Sequence, residues 1–259
     1  MVGYSFDLSG RVALVTGASS GLGARFARIL AASGAAVVLV ARRAEPMQAI
    51  VSEIEASGGR ALAVAADVTD ETSLIAAYDS AERAFGPVDT IIANAGLNAE
   101  GPALDLPAAD FANVMAVNVT GVFLTVREGA RRLMAAGSKQ RRHGRIVIIS
   151  SITATDITPG LSAYSASKAG VLQLGRVLAR DWIRHGINLN ILCPGYIETD
   201  LNADWFGTEG GQKQISRWPR RRLMQADALD ASLLHLCSDT SQFITGSVVT
   251  VDDGQSLSN

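Results

Sequence analysis

Apolar residues in this chain come in short unbroken runs, separated by longer stretches with helical periodicity. Arg11–Thr16 (RVALVT) reads as a buried strand, Gly21–Ser33 as a helix and Ala36–Ala41 (AVVLVA) as a second strand. Glu45–Ser57 reads as a helix that tolerates Pro46 in its first turn and stops at Gly58-Gly59, before a third strand at Ala61–Ala65. The alternation continues with a helix over Asp70–Phe85, a strand over Val88–Ala93, a long helical region over Ala108–Ala136 and a strand over Arg145–Ser150. A long helix over Ser162–His185, a strand over Ile187–Leu192, a helix over Ala226–Ser238 and a strand over Ser247–Val251 complete it. Because the strands are continuously apolar, both of their faces are expected to be covered, as in parallel sheets. Strand–helix alternation of this kind predicts right-handed crossovers and a doubly wound α/β sandwich, a central seven-stranded parallel sheet flanked by helices. Such sheets bind ligands beyond the carboxyl ends of their strands, so the chemistry is expected there.

Composition narrows the picture. With 259 residues, 48% hydrophobic and 19% charged, the chain reads as one globular domain over 1–259. A net charge of −2 gives no electrostatic case for nucleic acid or an anionic membrane. No apolar run reaches the length of a membrane span, and the first seven residues lack the basic start and apolar core of a signal peptide. The default expectation is cytoplasmic. Cys193 and Cys237 read as buried reduced thiols, and three scattered histidines (His143, His185, His235) make a zinc site improbable, so no metal is expected.

The first strand ends in Thr16-Gly17-Ala18-Ser19-Ser20-Gly21-Leu22-Gly23 and runs directly into a helix. Glycines there permit a tight turn and close approach of a ligand, and the helix N-terminus offers free N–H groups that suit a pyrophosphate. The T-G-x-x-x-G-x-G spacing differs from the usual G-x-G-x-x-G fingerprint. It resembles the short-chain dehydrogenase/reductase family, and the resemblance extends from Leu8 to about Gly254. It implies a Rossmann-type fold and a nicotinamide cofactor.

Tyr164-Ser165-Ala166-Ser167-Lys168 opens a long helix. Residues four apart share a helix face, so the phenol and the ammonium can enter one site. A nearby ammonium and an oxidised nicotinamide both favour phenolate, and a drop of about three pKa units corresponds to about 4 kcal/mol. Ser151 lies thirteen positions before Tyr164 and can hydrogen-bond a substrate oxygen, with Ser150 as the neighbouring candidate. By itself a Tyr-x-x-x-Lys pair also occurs on helix surfaces; the resemblance implies Tyr164 as acid/base, Lys168 as its electrostatic partner and Ser151 as substrate positioner.

The same resemblance assigns supporting roles. Asn94-Ala95-Gly96 supports the end of the fourth strand and the adenosine half of the cofactor, and Asp67-Val68 flanks the adenine, while Asp70 fits a helix cap better. Asn118, a poor helix former inside a helix, bends it and holds a water linked to Lys168; a buried Asn bonded to backbone is the alternative. After the sixth strand, Pro194-Gly195 with Ile197 and Thr199 holds the carboxamide. Ala41-Arg42-Arg43 ends the second strand with no acid, which favours NADP(H) over NAD(H), and Ser19 can add a hydroxyl contact.

Leu201–Leu223 has no clear period and reads as a mobile substrate lid inserted at about 200–223, with Gly207, Gly210 and Gly211 letting it flex. Its Arg217, Arg220, Arg221 and Arg222 can meet an acidic substrate group or a carrier protein, cap a helix, or face solvent or a partner subunit. Lys139, Arg141, Arg142, His143 and Arg145 read as solvated surface opposite the binding edge. Thr250-Val251-Asp252-Asp253-Gly254 carries Asp253 where the family has glycine, and the two long helices resemble those of the family's homotetramer interface. The expected function is reversible NADP(H)-dependent reduction of a ketone or aldehyde, on a small-molecule substrate that the sequence leaves open among acyl thioesters, sugar acids, cyclic ketones and steroids. The alternatives are a non-catalytic cofactor-binding scaffold or sensor, and an epimerase or dehydratase that recycles its cofactor.

Overall fold

The computed structural model describes residues 6–198 and 203–257. Its strands are β1 (Val12–Thr16), β2 (Ala36–Ala41), β3 (Arg60–Ala65), β4 (Thr90–Ala93), β5 (Gly144–Ile149), β6 (Ile187–Pro194) and β7 (Val248–Val251). All pair in parallel, in the order β3-β2-β1-β4-β5-β6-β7. Three strands are laid outward from β1, and the chain then crosses back to build the other half from β4. That reversal opens a crevice beyond the carboxyl ends of β1 and β4, where ligands bind in sheets of this kind.

The helices are α1 (Gly21–Ala32), α2 (Ala44–Ala56), α3 (Glu71–Phe85), α4 (Ala108–Met115), α5 (Val122–Ala135), α6 (Ser138–Arg141), α7 (Ser162–Trp182), α8 (Ala203–Phe206), α9 (Glu209–Arg217) and α10 (Asp230–Cys237). Alternate strand residues feed two cores. Ala13, Val15, Val37 and Leu39 pack with Phe26, Leu30, Met47 and Leu233 on one face, and Val12, Leu14, Val38 and Val40 pack with Tyr78, Val126 and Leu178 on the other. The unbroken apolar runs are therefore a direct consequence of burial on both sides.

Several boundaries differ from the sequence reading for local reasons. β4 begins at Thr90 rather than Val88, because Asp89 turns its carboxylate to the Val12 N–H (3.4 Å) and to Arg11 (3.5 Å). Asp70 lies outside α3 and caps it, accepting from the Thr72 N–H at 2.9 Å. The long helical region is interrupted by a π-helical turn over Ala116–Gly121 that joins α4 to α5. By length and composition the joined stretch Ala108–Ala135 is long and apolar enough to cross a membrane. Here Val114, Val122, Val126, Ala130 and Leu133 of that stretch are buried in the protein.

The basic turn before β5 is a correction. Arg145 is fully buried and donates to the Ser238 carbonyl at 3.2 Å and to Asp239 at 3.5 Å, because it lies within β5 and its guanidinium meets the turn that follows α10. The supposedly aperiodic stretch contains α8 and α9. Its glycines serve close packing: a Cβ at Gly211 would lie 2.2 Å from the Trp205 carbonyl, and one at Gly210 would lie 2.9 Å from the Trp205 ring. Asp253 takes a left-handed conformation (φ 53°) and receives Arg222 at 2.7 Å and Arg220 at 3.0 Å, which explains half of the arginine cluster.

Candidate active site

The glycine turn is shaped by close approach. Gly17 has φ 67°, and a Cβ on it would lie 2.8 Å from the Ala95 Cα. A Cβ on Gly23 would lie 2.2 Å from the Gly17 carbonyl oxygen, whereas Gly21, at φ 52°, faces open space. Asn94 locks this turn to the end of β4: its Nδ2 donates to the Thr16 carbonyl at 3.0 Å, while the Asn94 and Ala95 N–H groups donate to Thr16 Oγ1 at 3.1 and 3.2 Å. Ser20 stands at the N-cap of α1 without a side-chain cap bond, and the first turn carries no acid. Ser19 is half-buried, and Leu22 packs against the core. The helix start therefore keeps N–H groups and a positive dipole end for an anion in front of it, which fits a dinucleotide pyrophosphate.

Around this turn lie the ends of the neighbouring strands. Arg42 and Arg43 are exposed after β2, and neither forms an ion pair among the described residues. Asp67, after β3, is held below the usual carboxylate range by the Thr69 N–H (2.9 Å) and hydroxyl (2.7 Å), with a smaller contribution from Arg42. Val68 is buried against Gly121, where a Cβ would meet its Cγ2 at 2.7 Å. Gly195 follows β6, packed against Asp252 and Gln255, with its N–H on the Val251 carbonyl at 2.9 Å, and Ile197 is buried in a bridge with Met224. Pro194 closes β6 and is buried. Thr199 lies outside the described residues.

Ser151, Tyr164 and Lys168 converge beyond β5. Ser151 is buried and starts a short 3₁₀ turn, Ile152–Ala154; its Oγ accepts from the Thr153 N–H at 3.2 Å and from the Thr153 hydroxyl at 3.0 Å. Both lone pairs of that oxygen are thereby engaged, which leaves its own proton to be donated elsewhere. Tyr164 is next to it, and hydrogen bonding from Ser151 draws the phenol's pKa down. Burial outweighs this and pushes the phenol up to about 12. The sequence-based expectation of a lowered phenol is therefore not what the protein groups deliver, because enclosure penalises the phenolate more than its neighbours favour it. Lys168 lies 5.4 Å from the centre of the Tyr164 ring, donates to the Ile149 carbonyl at 2.9 Å, and is pushed down to about 8 by burial.

Asn118 sits in the π-turn, fully buried. Its Oδ1 accepts from the Leu97 N–H at 2.8 Å, and its Nδ2 donates to the Leu97 carbonyl and to Ser167 Oγ, both at 2.9 Å. Ser167 in turn donates to the Tyr164 carbonyl at 2.7 Å. Asn118 thus ties the loop after β4 to the first turn of α7. Gly96 lies between Asn118 and Lys168; a Cβ on it would be 3.4 Å from Asn118 Oδ1 and 3.5 Å from Lys168 Nζ. Ser150 turns away and donates to the Lys168 carbonyl at 2.9 Å, which separates it from Ser151 in function.

Sequence reasoning missed Thr153, Ser167 and Tyr196. Thr153 could have been found as a hydroxyl two positions after Ser151, a spacing at which side chains bond to neighbouring backbone and to each other. Tyr196 lies beyond Gly195 with its ring stacked on Trp218 (centroids 5.2 Å apart) and edge-on to Phe206 (5.7 Å).

A glycine cradle at the switch point of a parallel sheet, facing a hydroxyl–phenol–ammonium group, defines a dinucleotide-dependent oxidoreductase site. Residues 11–210 match the short chain dehydrogenase family, and the chain belongs to it. A gluconate 5-dehydrogenase of Gluconobacter oxydans is 37% identical over 98% of this chain and 97% of its own, and a D-threitol dehydrogenase of Mycolicibacterium smegmatis is 34% identical over 99% and 96%. The crystal structure of a gluconate 5-dehydrogenase from Burkholderia cenocepacia in complex with NADP and tartrate superposes with a TM-score of 0.91 at 33% identity, covering 98% of each chain. The protein is thus a short-chain dehydrogenase that acts on CH–OH groups.

Proposed function

We propose that this enzyme interconverts a secondary alcohol and a ketone with NADP(H), and that Tyr164 carries the proton. The observation that supports this most is the convergence of Ser151, Tyr164 and Lys168 at the strand end that adjoins the glycine cradle. The nicotinamide, when bound, supplies or accepts the hydride. Ser151, its lone pairs engaged by Thr153, donates to the reacting oxygen and holds it against the phenol. In the reductive direction the protonated phenol, the form that its burial favours, gives its proton to the developing alkoxide. In the oxidative direction the phenolate takes the alcohol proton. Reduction consumes a proton, so falling pH favours it. Lys168 places a buried positive charge by the ring and favours phenolate as long as it stays protonated.

Arg42 and Arg43, exposed after β2 and without an ion pair among the described residues, suit a 2′-phosphate, and Ser19 adds a hydroxyl at the glycine turn. Gly17, Ser20, Gly21, Leu22 and Gly23 would hold the pyrophosphate; Asp67, Val68 and Asn94-Ala95-Gly96 the adenosine side; and Pro194, Gly195, Ile197 and Thr199 the carboxamide. The stretch at about 200–223 covers the substrate side of a single domain over 1–259. We further infer a homotetramer through α4, α5 and α7, whose Phe111 and Val177 are exposed apolar residues.

Tyr164→Phe tests the reading. The variant is expected to lose turnover of a carbonyl panel while its NADPH affinity, followed by nicotinamide fluorescence, stays within about threefold. Normal turnover by the variant, or a wild-type preference for NADH over NADPH, would overturn the corresponding half.

A further inference from the structure

Among the described residues three covered side-chain polar atoms have no hydrogen-bond partner, Arg127 Nε, Ser165 Oγ and the Tyr196 hydroxyl, and of these the Tyr196 hydroxyl belongs to the chain that leaves β6. Tyr196 follows the Pro194-Gly195 turn, and its phenol oxygen is covered yet has no hydrogen-bond partner among the described residues. Its neighbours fix it in place. The ring is stacked on Trp218 at an interplanar angle of 22° and meets Phe206 edge-on at 81°. Its N–H donates to Gln255 Oε1 at 2.6 Å, and its carbonyl accepts from the Gln255 amide and the Met224 N–H, both at 3.1 Å. Clamped ring and clamped backbone prevent the phenol from swinging out to water. It is also near enough to Tyr164 to act on it electrostatically.

An enclosed hydroxyl without a partner is unfavourable, and it persists where a ligand completes it. The reacting oxygen is already taken by Tyr164 and Ser151. An oxygen on the adjacent carbon is the next polar group that such a substrate presents, and Tyr196 is close enough to Tyr164 to influence it electrostatically. We infer that Tyr196 is a substrate-recognition residue whose phenol hydrogen-bonds an oxygen on the carbon next to the reacting one, so that the enzyme selects α-hydroxy ketones and vicinal diols over simple ketones and alcohols. This rests on the acid/base reading of Tyr164 given above. A site built to bond a substrate hydroxyl discriminates strongly against the analogue that lacks it, since its own buried group is then left bare.

The test compares wild type and Tyr196→Phe in NADPH-dependent reduction of acetoin against 2-butanone, and of hydroxy ketones of about five and six carbons against their deoxy counterparts. Wild type is expected to prefer the hydroxy ketones in kcat/KM by about tenfold or more. In the variant that preference collapses through loss on the hydroxy ketones, while the deoxy ketones and the KM for NADPH stay within about twofold. Its thermal midpoint is expected to equal or exceed that of wild type. Equal losses on both substrate sets, an unchanged preference, an effect confined to NADPH, or a lowered midpoint overturns the inference and leaves the acid/base reading standing. A wild type that reduces none of these ketones with either cofactor overturns both.

Discussion

Replacing Thr153 by valine removes one hydroxyl from behind Ser151 and changes little else. The side chain is 4% exposed, so valine, of nearly the same shape, opens no cavity of consequence. What disappears is the 3.0 Å hydrogen bond from the Thr153 hydroxyl to Ser151 Oγ, while the 3.2 Å bond from the Thr153 backbone N–H stays. A neutral hydrogen bond of this kind contributes about 0.5–1.5 kcal/mol. If that energy is spent on aiming the Ser151 proton at the phenol and the reacting oxygen, kcat falls by roughly two- to twelve-fold. The Ser151 bond also holds the Tyr164 pKa down, so the acid limb of alcohol oxidation moves to higher pH in the variant. The assay is kcat and kcat/KM for oxidation across pH, with Thr153→Ser as the restoring variant. A valine variant with wild-type kcat and an unmoved acid limb would refute the aiming argument. Equal defects in the valine and serine variants would refute it too, by pointing to packing.

Two further outcomes follow from the same geometry. Asn118→Ala removes three buried hydrogen bonds, to the Leu97 N–H, the Leu97 carbonyl and Ser167, and is expected to cost about 3 kcal/mol and lower the thermal midpoint by roughly 6–12 °C. A midpoint within about 2 °C of wild type in scanning calorimetry would contradict this. Lys168→Met removes a buried ammonium whose pKa is pushed from 10.5 down to about 8. In wild type the penalty is full below pH 8 and is relieved as pH rises toward 10.5, because the unfolded chain then binds the extra proton. The shift corresponds to about 3 kcal/mol, part of it offset by the lost bond to the Ile149 carbonyl. The inactive variant is therefore expected to be more stable than wild type at pH 7, on the order of 1–2 kcal/mol in urea denaturation, with the gap narrowing at pH 10. A gap of constant size, or of opposite sign at pH 7, rejects the burial argument.

The sheet was legible because its strands are apolar on both faces, and the order of elements follows from alternation alone. The sequence also exposed those site residues whose chemistry is carried by spacing: the Gly17–Gly23 turn and the Tyr164–Lys168 helical pair. It misjudged what depends on enclosure. In the protein alone burial sets the direction of the Tyr164 pKa, whereas the expected lowering also counts on the charge of a bound oxidised nicotinamide. Arg145 looked solvated because it lies in a basic run, yet the fold buries it in β5 and brings the Ser238 carbonyl to it. Gly210 and Gly211 suggested flexing, while the contact that demands them, with Trp205, is visible only once α8 and α9 are packed. Asp253 looked like a simple departure from the family ending, and its partners Arg220 and Arg222 come from more than thirty positions upstream.

The two ends of the sheet treat buried polar groups in opposite ways, and the contrast locates function better than burial alone. At the amino-terminal edge, Arg11, Asp89 and Arg145 are each at least nine-tenths buried, and each is satisfied: Arg11 by Asp89, Asp239 and the His143 carbonyl, and Arg145 by Asp239 and three backbone carbonyls. A network of that kind holds strands and loops together, as buried charges do when every member is paired. At the carboxyl edge, among the described residues, Lys168 has a neutral carbonyl and the Tyr164 ring and no acid, Tyr164 is raised by enclosure, and the Tyr196 hydroxyl has no hydrogen-bond partner. Folding alone gives no reason to keep three such groups together, since each is unfavourable in the protein by itself. Their shared place beyond the carboxyl ends of β5 and β6 is accounted for if a cofactor and an oxygen-bearing substrate complete them. The penalty is thus the signature of the site.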